Sequence, residues 1–439
     1  MQFKRTALAV FPVIASLFVT ASLAAWSGAA AASGFALITQ NGSGLGNAYA
    51  GATAGAEDAS TIFFNPAGMA QLRGGQIVVA GNLVSGDAQF TDTGSAAAGN
   101  GRALGRAPDA SRKLALLPSA YFVKEISPQL HIGAGINAPF GSKTEYPADW
   151  IGRYQAIKSS IESINVNPSI SWQVNDAFSI GAGLDYQRVK ASMTNATVVV
   201  PAAPALDGIT TMEGSDAAWG YNFGGLLRLA DGARIGVSYR SGIDYRLSGT
   251  VYVASALVAP GVTNTVIPVT AAFKTPDTLS AGYFKPLNDK WDVMADVSFT
   301  GWSRFNELRV IQSSSGATIA LTPENWHDTW RVALGVNHHY SERWTARAGL
   351  AYDMDPVPEA MRTPRIPDSD RTWLSLGGQY KLAGGGALDF GYAHLFIKGS
   401  FVSRNSGGVN VADTTKYAQL TGSYDSKADI LSVQYTHGF

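Results

Sequence analysis

From about Gln76 to the C-terminus the chain keeps returning to segments of period two, in which apolar and polar residues alternate. Trp291, Val293, Ala295, Val297 and Phe299 fall on one face, and Asp292, Met294, Asp296 and Ser298 on the other. Trp344, Ala346, Ala348, Leu350 and Tyr352 oppose Thr345, Arg347, Gly349, Ala351 and Asp353 in the same way. Phe178 to Gln187 and Arg234 to Arg240 repeat the pattern. Period two is the signature of a strand whose two faces meet different surroundings, so the fold class is all-β.

The composition of the two faces separates a membrane barrel from a soluble sandwich. A sandwich buries a large apolar face and wets one rich in Lys, Glu and Thr. Here the polar face is Gly, Ser, Asp and Arg, in a chain with 48 glycines and only 15% charged residues. Aromatic residues close the apolar face at both ends, as in Trp291 with Phe299, Trp344 with Tyr352 and Phe178 with Tyr186. That spacing suits girdles at two membrane interfaces.

Turn signals fall into two alternating classes. Short turns are expected at Ser127-Pro128, Asn175-Asp176, Asp231-Gly232, Asn288-Asp289, Ser341-Glu342 and Gly384-Gly385. Long connections are expected at 91 to 113, 142 to 160, 194 to 217, 253 to 270, 313 to 325, 356 to 369 and 403 to 426. Six short turns and seven long connections join fourteen antiparallel strands over 76 to 439, with both ends on the short-turn, periplasmic side. Closure follows from hydrocarbon, which offers no partner to an open sheet edge. The last strand ends Tyr435, His437, Phe439 on one face, a terminal aromatic that barrel assembly machinery commonly reads.

Residues 1 to 32 read as a signal peptide, with Lys4 and Arg5, an apolar run from Ala7 to Leu23 and the small residues Ala30-Ala31-Ala32. An uncleaved anchor is the alternative, against which Pro12 and the alanine-rich exit speak. Residues 33 to 75 break the alternation. They are rich in glycine and small residues and carry Asn65-Pro66-Ala67-Gly68. Either a compact plug in the barrel lumen or a flexible periplasmic tail accounts for them.

Several chemistries find no support. Loss of Lys4 and Arg5 leaves two more acids than bases, so nucleic acid is not an expected partner. Cysteine is absent, which excludes disulfides and thiolate chemistry. His338-His339 and His327-Asp328 lack a third ligand at metal spacing, and no nucleophile elbow, phosphate loop or dinucleotide fingerprint occurs. No catalytic residue, metal or cofactor is therefore expected. Asp353 with Asp368, Asp370 and Arg371 reads as a polar network holding a loop or plug rather than as an acid-base group.

Separated motifs then carry a family resemblance. Ser33-Gly34-Phe35, Ser43-Gly44-Leu45-Gly46-Asn47-Ala48-Tyr49-Ala50-Gly51 and Asn65-Pro66-Ala67 resemble the N-terminal hatch of the FadL/TodX family of outer-membrane transporters of hydrophobic compounds. Thr300 to Phe305, Trp330 to Gly335, Pro356-Val357-Pro358 and Arg365 to Trp373 are similar to that family in order and spacing. The resemblance implies a fourteen-stranded barrel in the bacterial outer membrane, plugged by 33 to 75 with its turn at Asn65, Pro66 and Ala67. It implies passive uptake, first of long-chain fatty acids, by a lipid-embedded monomer. The implied route runs from an outer groove through a lumen pocket near Phe35 to a lateral gap in the third strand. Neutral or aromatic hydrocarbons, or small polar solutes through a general pore, are the other cargoes considered.

The sequence offers counterparts to these parts. Pro139, Phe140 and Gly141 interrupt the third strand, because Pro139 cannot donate to the ladder and Gly141 weakens it; an ordinary strand end reads the same way. Apolar Val199, Leu257 and Val258 in two long loops are candidates for the outer groove. The family's cationic lumen positions fall on Met193 and Thr322, which carry no charge. Arg188, Lys190 or Arg347 are the expected substitutes, with Arg347 and Asp353 pointing inward by parity.

Overall fold

The computed structural model describes residues 33–99, 101–108, 113–200, 202–255, 266–404 and 418–439. The alternating segments form one closed antiparallel barrel of fourteen strands, six of them interrupted once. In chain order these are β1 (Gly75–Asp92), β2 (Lys113–Ser127), β3 (Leu130–Asn137 and Gly141–Glu145), β4 (Lys158–Gln173) and β5 (Phe178–Thr197). Next come β6 (Gly208–Arg228), β7 (Arg234–Arg240 and Asp244–Ala254), β8 (Val266–Lys274 and Thr278–Asn288) and β9 (Trp291–Thr300 and Glu307–Gln312). The last five are β10 (Thr318–Pro323 and Thr329–His339), β11 (Trp344–Asp353), β12 (Arg371–Lys381), β13 (Gly386–Ile397 and Ser400–Arg404) and β14 (Leu420–Gly438).

Closure is made by β1 with β14, in register from Gln76 opposite Gly438 to Asp92 opposite Gly422. Gly75 and Phe439 exchange backbone hydrogen bonds of 2.7 and 2.8 Å at the seam, so neither terminal strand presents an open edge there.

Several expected connections are shorter than the sequence suggested, two of them by more than half. The ladder of β5 with β6 continues to Thr197 opposite Gly208, and that of β9 with β10 reaches Ile311 opposite Thr318. Alternation weakens beyond the membrane, where both faces are wet, but backbone pairing does not depend on it.

Side chains sort by parity as alternation requires. Leu184, Trp219, Leu334, Leu350 and Leu376 are more than half exposed on the outside, where a soluble protein would have no such belt. Aromatic pairs bound it, with Tyr186 and Trp219 at 4.9 Å and Phe299 and Trp330 at 5.1 Å toward one end. Trp291 and His338 at 4.3 Å and Trp344 and Tyr380 at 4.6 Å mark the other.

The segment from Ser33 to Gly74 lies in the lumen as short helical turns, Leu45–Asn47, Ala52–Gly55, Thr61–Phe64 and Pro66–Gln71, and is largely buried. It bonds to walls all round. The Ser119 hydroxyl of β2 donates to Gln40 O at 2.6 Å, Thr53 N to Asp296 of β9 at 3.2 Å, Asn47 Nδ2 to Val336 O of β10 at 3.1 Å and Gly42 N to Gln434 of β14 at 2.9 Å.

This packing explains the glycines on the inner wall. A Cβ at Gly224 or Gly181 would overlap Asn65 or the Pro66-Ala67 peptide, and one at Gly349 would overlap the Asn47 backbone. Asn65 organises the turn that meets them. Its Oδ1 accepts from Ala67 N at 3.1 Å while its Nδ2 donates to Thr53 O at 2.8 Å and Gly225 O at 3.1 Å, with Pro66 opening the next turn.

Candidate ligand-binding cavity

Above this segment lies a cavity of about 140 Å³. A single water needs only about 10–15 Å³, so the space is of ligand size. Its wall is mostly apolar, with Ile161 of β4, Val189 of β5, Leu247 of β7, Phe273 of β8 and Val310 of β9 among the lining residues.

Phe35 closes one side. Fully buried, it lies 4.6 Å from Trp302, 5.5 Å from both Phe273 and Trp326, and 5.8 Å from Phe140 and Phe305, ring centre to ring centre. Trp302, Phe305 and Trp326 stand in or beside the interruptions of β9 and β10, which let the chain turn its aromatics inward. Gly34 precedes Phe35 at φ +61°, where an added Cβ would crowd the Trp326 ring. Its amide donates to Asp368 at 2.6 Å, and the Ser33 hydroxyl donates to Met354 O at 2.6 Å.

Polar residues gather on another side of the cavity. Ser159, Asn195, Glu324, Thr363, Arg365 and Arg404 line it there. Arg365 donates to Ser159 Oγ at 2.8 Å, Lys158 O at 3.1 Å and Asn195 Oδ1 at 3.2 Å. Arg404 donates to Met361 O at 3.0 Å, and Trp326 Nε1 to Glu324 at 2.9 Å. Burial pushes the Glu324 carboxyl up to about 7 despite the Trp326 hydrogen bond and the charges of Arg404 and Arg365. Burial also draws Arg365 down to about 10, so it remains a cation at neutral pH.

The wall is interrupted beside the cavity. β2 pairs with β3 only from Ala120 opposite Ile136 to Ser127 opposite Leu130, while Gly141–Glu145 pairs with β4. Among the described residues the outer part of β2 therefore has no partner on the β3 side. Between the two parts of β3, Ala138, Pro139 and Phe140 are all buried, a run that alternation would forbid, because the chain there turns into the lumen.

The lumen segment takes over the ladder at that place. Leu37 N donates to Pro139 O at 2.7 Å, Gly141 N to Phe35 O at 2.9 Å and Gln40 Nε2 to Ala138 O at 2.8 Å. Phe140 N donates to Ser163 Oγ at 2.9 Å, and that hydroxyl donates to Phe140 O at 2.6 Å.

Other expected residues lie elsewhere. Arg188 and Lys190 are exposed on the outward parity of β5, continuing Leu184 and Tyr186, so neither is in the lumen. The expectation for them is corrected: a residue's face is fixed by period two, and both share that of the apolar belt.

Arg347 is buried inward but is not free to receive a ligand. It donates to Asp389 and to Ser43 O, both at 2.8 Å, and pairs with Glu57. A charge in so dry a place is kept by fixed partners.

Asp353 is also inward and buried, in register between Arg331 of β10 and Arg371 of β12, yet it does not line the cavity. Its neighbours hold the connection after β11: Asp355 pairs with Arg362, Asp368 with Arg371, and Asp370 accepts from Asp355 N at 2.9 Å. Val199 is exposed near the tip of the connection after β5, and Leu257 and Val258 lie outside the described residues. Met193 and Thr322 do line the cavity, as uncharged residues. Arg365, Arg404 and Glu324 were missed. Arg365 opens the Arg365 to Trp373 motif, but only the folded chain shows which residues of distant loops share a cavity.

The family profile described as outer membrane protein transport protein (OMPP1/FadL/TodX) matches residues 23–439. The chain belongs to this family. As a FadL/TodX-type protein it is an outer-membrane transporter of hydrophobic compounds and not an enzyme. It is 28% identical to the long-chain fatty acid transport protein of Escherichia coli O6:H1, covering 90% of this chain and 91% of that one. It is 31% identical to outer membrane protein P1 of Haemophilus influenzae, over 87% and 89% of the two chains. Among solved structures, a FadL homologue of Pseudomonas aeruginosa superposes with a TM-score of 0.84 at 25% identity, over 92% of this chain and all of that one. The Pseudomonas putida toluene transporter TodX shares the fold, with a TM-score of 0.67 at 16% identity, over 91% and 98% of the chains.

Proposed function

We propose that this FadL/TodX-family barrel carries long-chain fatty acids inward by passive transport. The observation that supports this reading is the apolar cavity closed by Phe35, whose own backbone bonds to the interrupted part of β3. An alkyl chain leaving the cavity for water would lose about 0.8 kcal/mol for each methylene exposed. Sideways release between β2 and β3 into the bilayer avoids that cost. Residues 33 to 75 act in this reading as the hatch, with Asn65, Pro66 and Ala67 as its fixed turn, and the mature chain begins near Ser33. The loops bearing Val199, Leu257 and Val258 form the outer groove where the ligand first binds. Long-chain fatty acid transport proteins stand among the relatives and agree with this cargo.

Uptake of neutral or aromatic hydrocarbons by the same route is the second reading, favoured by uncharged Met193 and Thr322 at the cavity wall. Growth of a deletion strain on oleate and on toluene as sole carbon source distinguishes them. Loss of growth on oleate, restored by the gene, is expected; loss on toluene alone overturns the fatty-acid reading. Liposome swelling with sugars tests the general-pore alternative, and no swelling is expected because the lumen segment bonds to walls all round.

A further inference from the structure

We propose that Arg365 and Arg404 form a carboxylate anchor at the polar side of the cavity, making the site selective for fatty anions over neutral lipids of equal length. The inference rests on the fatty-acid reading above and adds the residues that recognise the head group. Neither arginine occupies a position where the family resemblance led us to expect a cation; those positions are Met193 and Thr322.

Three observations carry it. First, both arginines line a cavity that is otherwise mostly apolar, and a cation beside apolar surface is costly unless an anion is available. Second, their fixed partners are neutral. Arg365 bonds to Ser159, Asn195 and backbone oxygens, Arg404 to one backbone oxygen, and among the described residues neither makes an ion pair. Arg347, Arg362 and Arg371 in the same lumen are by contrast each paired with Asp or Glu.

Third, the two acids that line this cavity are each engaged by a hydrogen bond of their own. Glu324 is a single carboxyl facing two guanidinium groups and is held by Trp326. Glu213 of β6 also lines the cavity, as an exposed residue whose carboxylate accepts from Ser192 Oγ at 3.2 Å. The cavity thus offers two planar donors at one side and Phe35, Leu247, Phe273 and Val310 elsewhere. A carboxylate on an alkyl chain matches both features, because guanidinium groups donate in a fork that fits it.

A purely structural role, pinning the connection after β11 to β4 and β5, is the competing account of Arg365, and a comparison of two ligands separates them. Palmitate and hexadecanol are bound at equilibrium to the full-length mature protein in nanodiscs, with Arg404→Gln, Arg365→Gln and the double variant beside the unmutated protein. A charge-assisted hydrogen bond is worth about 1.5–3 kcal/mol, so palmitate affinity should fall at least about tenfold in each single variant while hexadecanol affinity stays within about twofold. Hexadecanol binding also reports that the cavity is intact. Should Arg365→Gln fail to fold, Arg404→Gln, which removes one hydrogen bond to a backbone oxygen, gives the decisive comparison. Equal loss of both ligands, or palmitate binding unchanged in Arg404→Gln and the double variant, overturns the anchor. If unmutated protein binds hexadecanol but shows no preference for palmitate, the anchor fails while hydrophobic transport stands; if it takes up toluene and binds neither lipid, the fatty-acid reading fails with it.

Discussion

The amide of Leu37 donates to the carbonyl of Pro139 at 2.7 Å, so the wall and the lumen segment share one hydrogen-bonding system where β3 is interrupted. Proline cannot donate to a ladder, and the strand resumes only at Gly141. Release of the first lumen residues from this place would free both the cavity wall at Phe35 and the backbone of 138 to 140. In the proposed route, capture and exit are therefore tied to one small set of bonds.

Restoring a continuous β3 should close the exit without affecting the cavity. In Pro139→Val with Gly141→Thr, palmitate binding to purified protein is expected to persist while cellular uptake falls several-fold. Unchanged uptake, with the new ladder confirmed by structure, would mean that ligand leaves downward past the lumen segment.

Asn65 bridges the lumen segment to itself and to Gly225 of β6. Loss of a capping side chain costs about 0.5–2 kcal/mol, and each further buried hydrogen bond about 0.5–1.5 kcal/mol. Asn65→Ala with Pro66→Ala should leave the seam of β1 with β14 intact, shown by unchanged migration of unboiled protein on gels. Oleate uptake at equal surface abundance should fall, and protease should gain access to the lumen segment. Normal uptake would count against a hatch role.

Arg347 is held between Asp389 and Glu57, and its removal strands a buried carboxylate. Breaking a buried pair by deleting one partner costs about 3–5 kcal/mol. Arg347→Met should lower the unfolding temperature in detergent and leave palmitate affinity within about twofold. A selective loss of palmitate binding would return Arg347 to the ligand site.

Glu324 should make anion binding depend on pH. Its carboxyl is raised to about 7 by burial, and the charged groups that influence it, Arg404 and Arg365, do not change charge near neutrality. As pH falls through about 7 the carboxyl takes up a proton, its negative charge disappears, and the cavity becomes more attractive to anions. A permanently charged alkyl sulfonate removes the titration of the ligand itself. Its affinity should rise from pH 8 to pH 6, and Glu324→Gln should abolish the slope while keeping the tighter binding. A slope that survives in Glu324→Gln would assign the effect to another group.

The sequence by itself determined the barrel. Period two fixed which side chains face lipid, as with Leu184 and Leu350, and the alternation of short and long connections fixed the strand number, because both are local properties of the backbone. The Pro139 break was visible too, but the residues alone left a wall defect and an ordinary strand end equally open. Only the tertiary structure decided what those inward residues do. Arg347 and Arg365 are indistinguishable as letters, yet one is bound by two carboxylates and the other lines the cavity with neutral partners. The cavity itself is assembled from Phe35, the interruptions of β9 and β10 and the connection after β11, which lie far apart in the chain. Parity tells a side chain which face to take, but not which distant residues will meet it there; that depends on how the closed wall and the lumen segment pack.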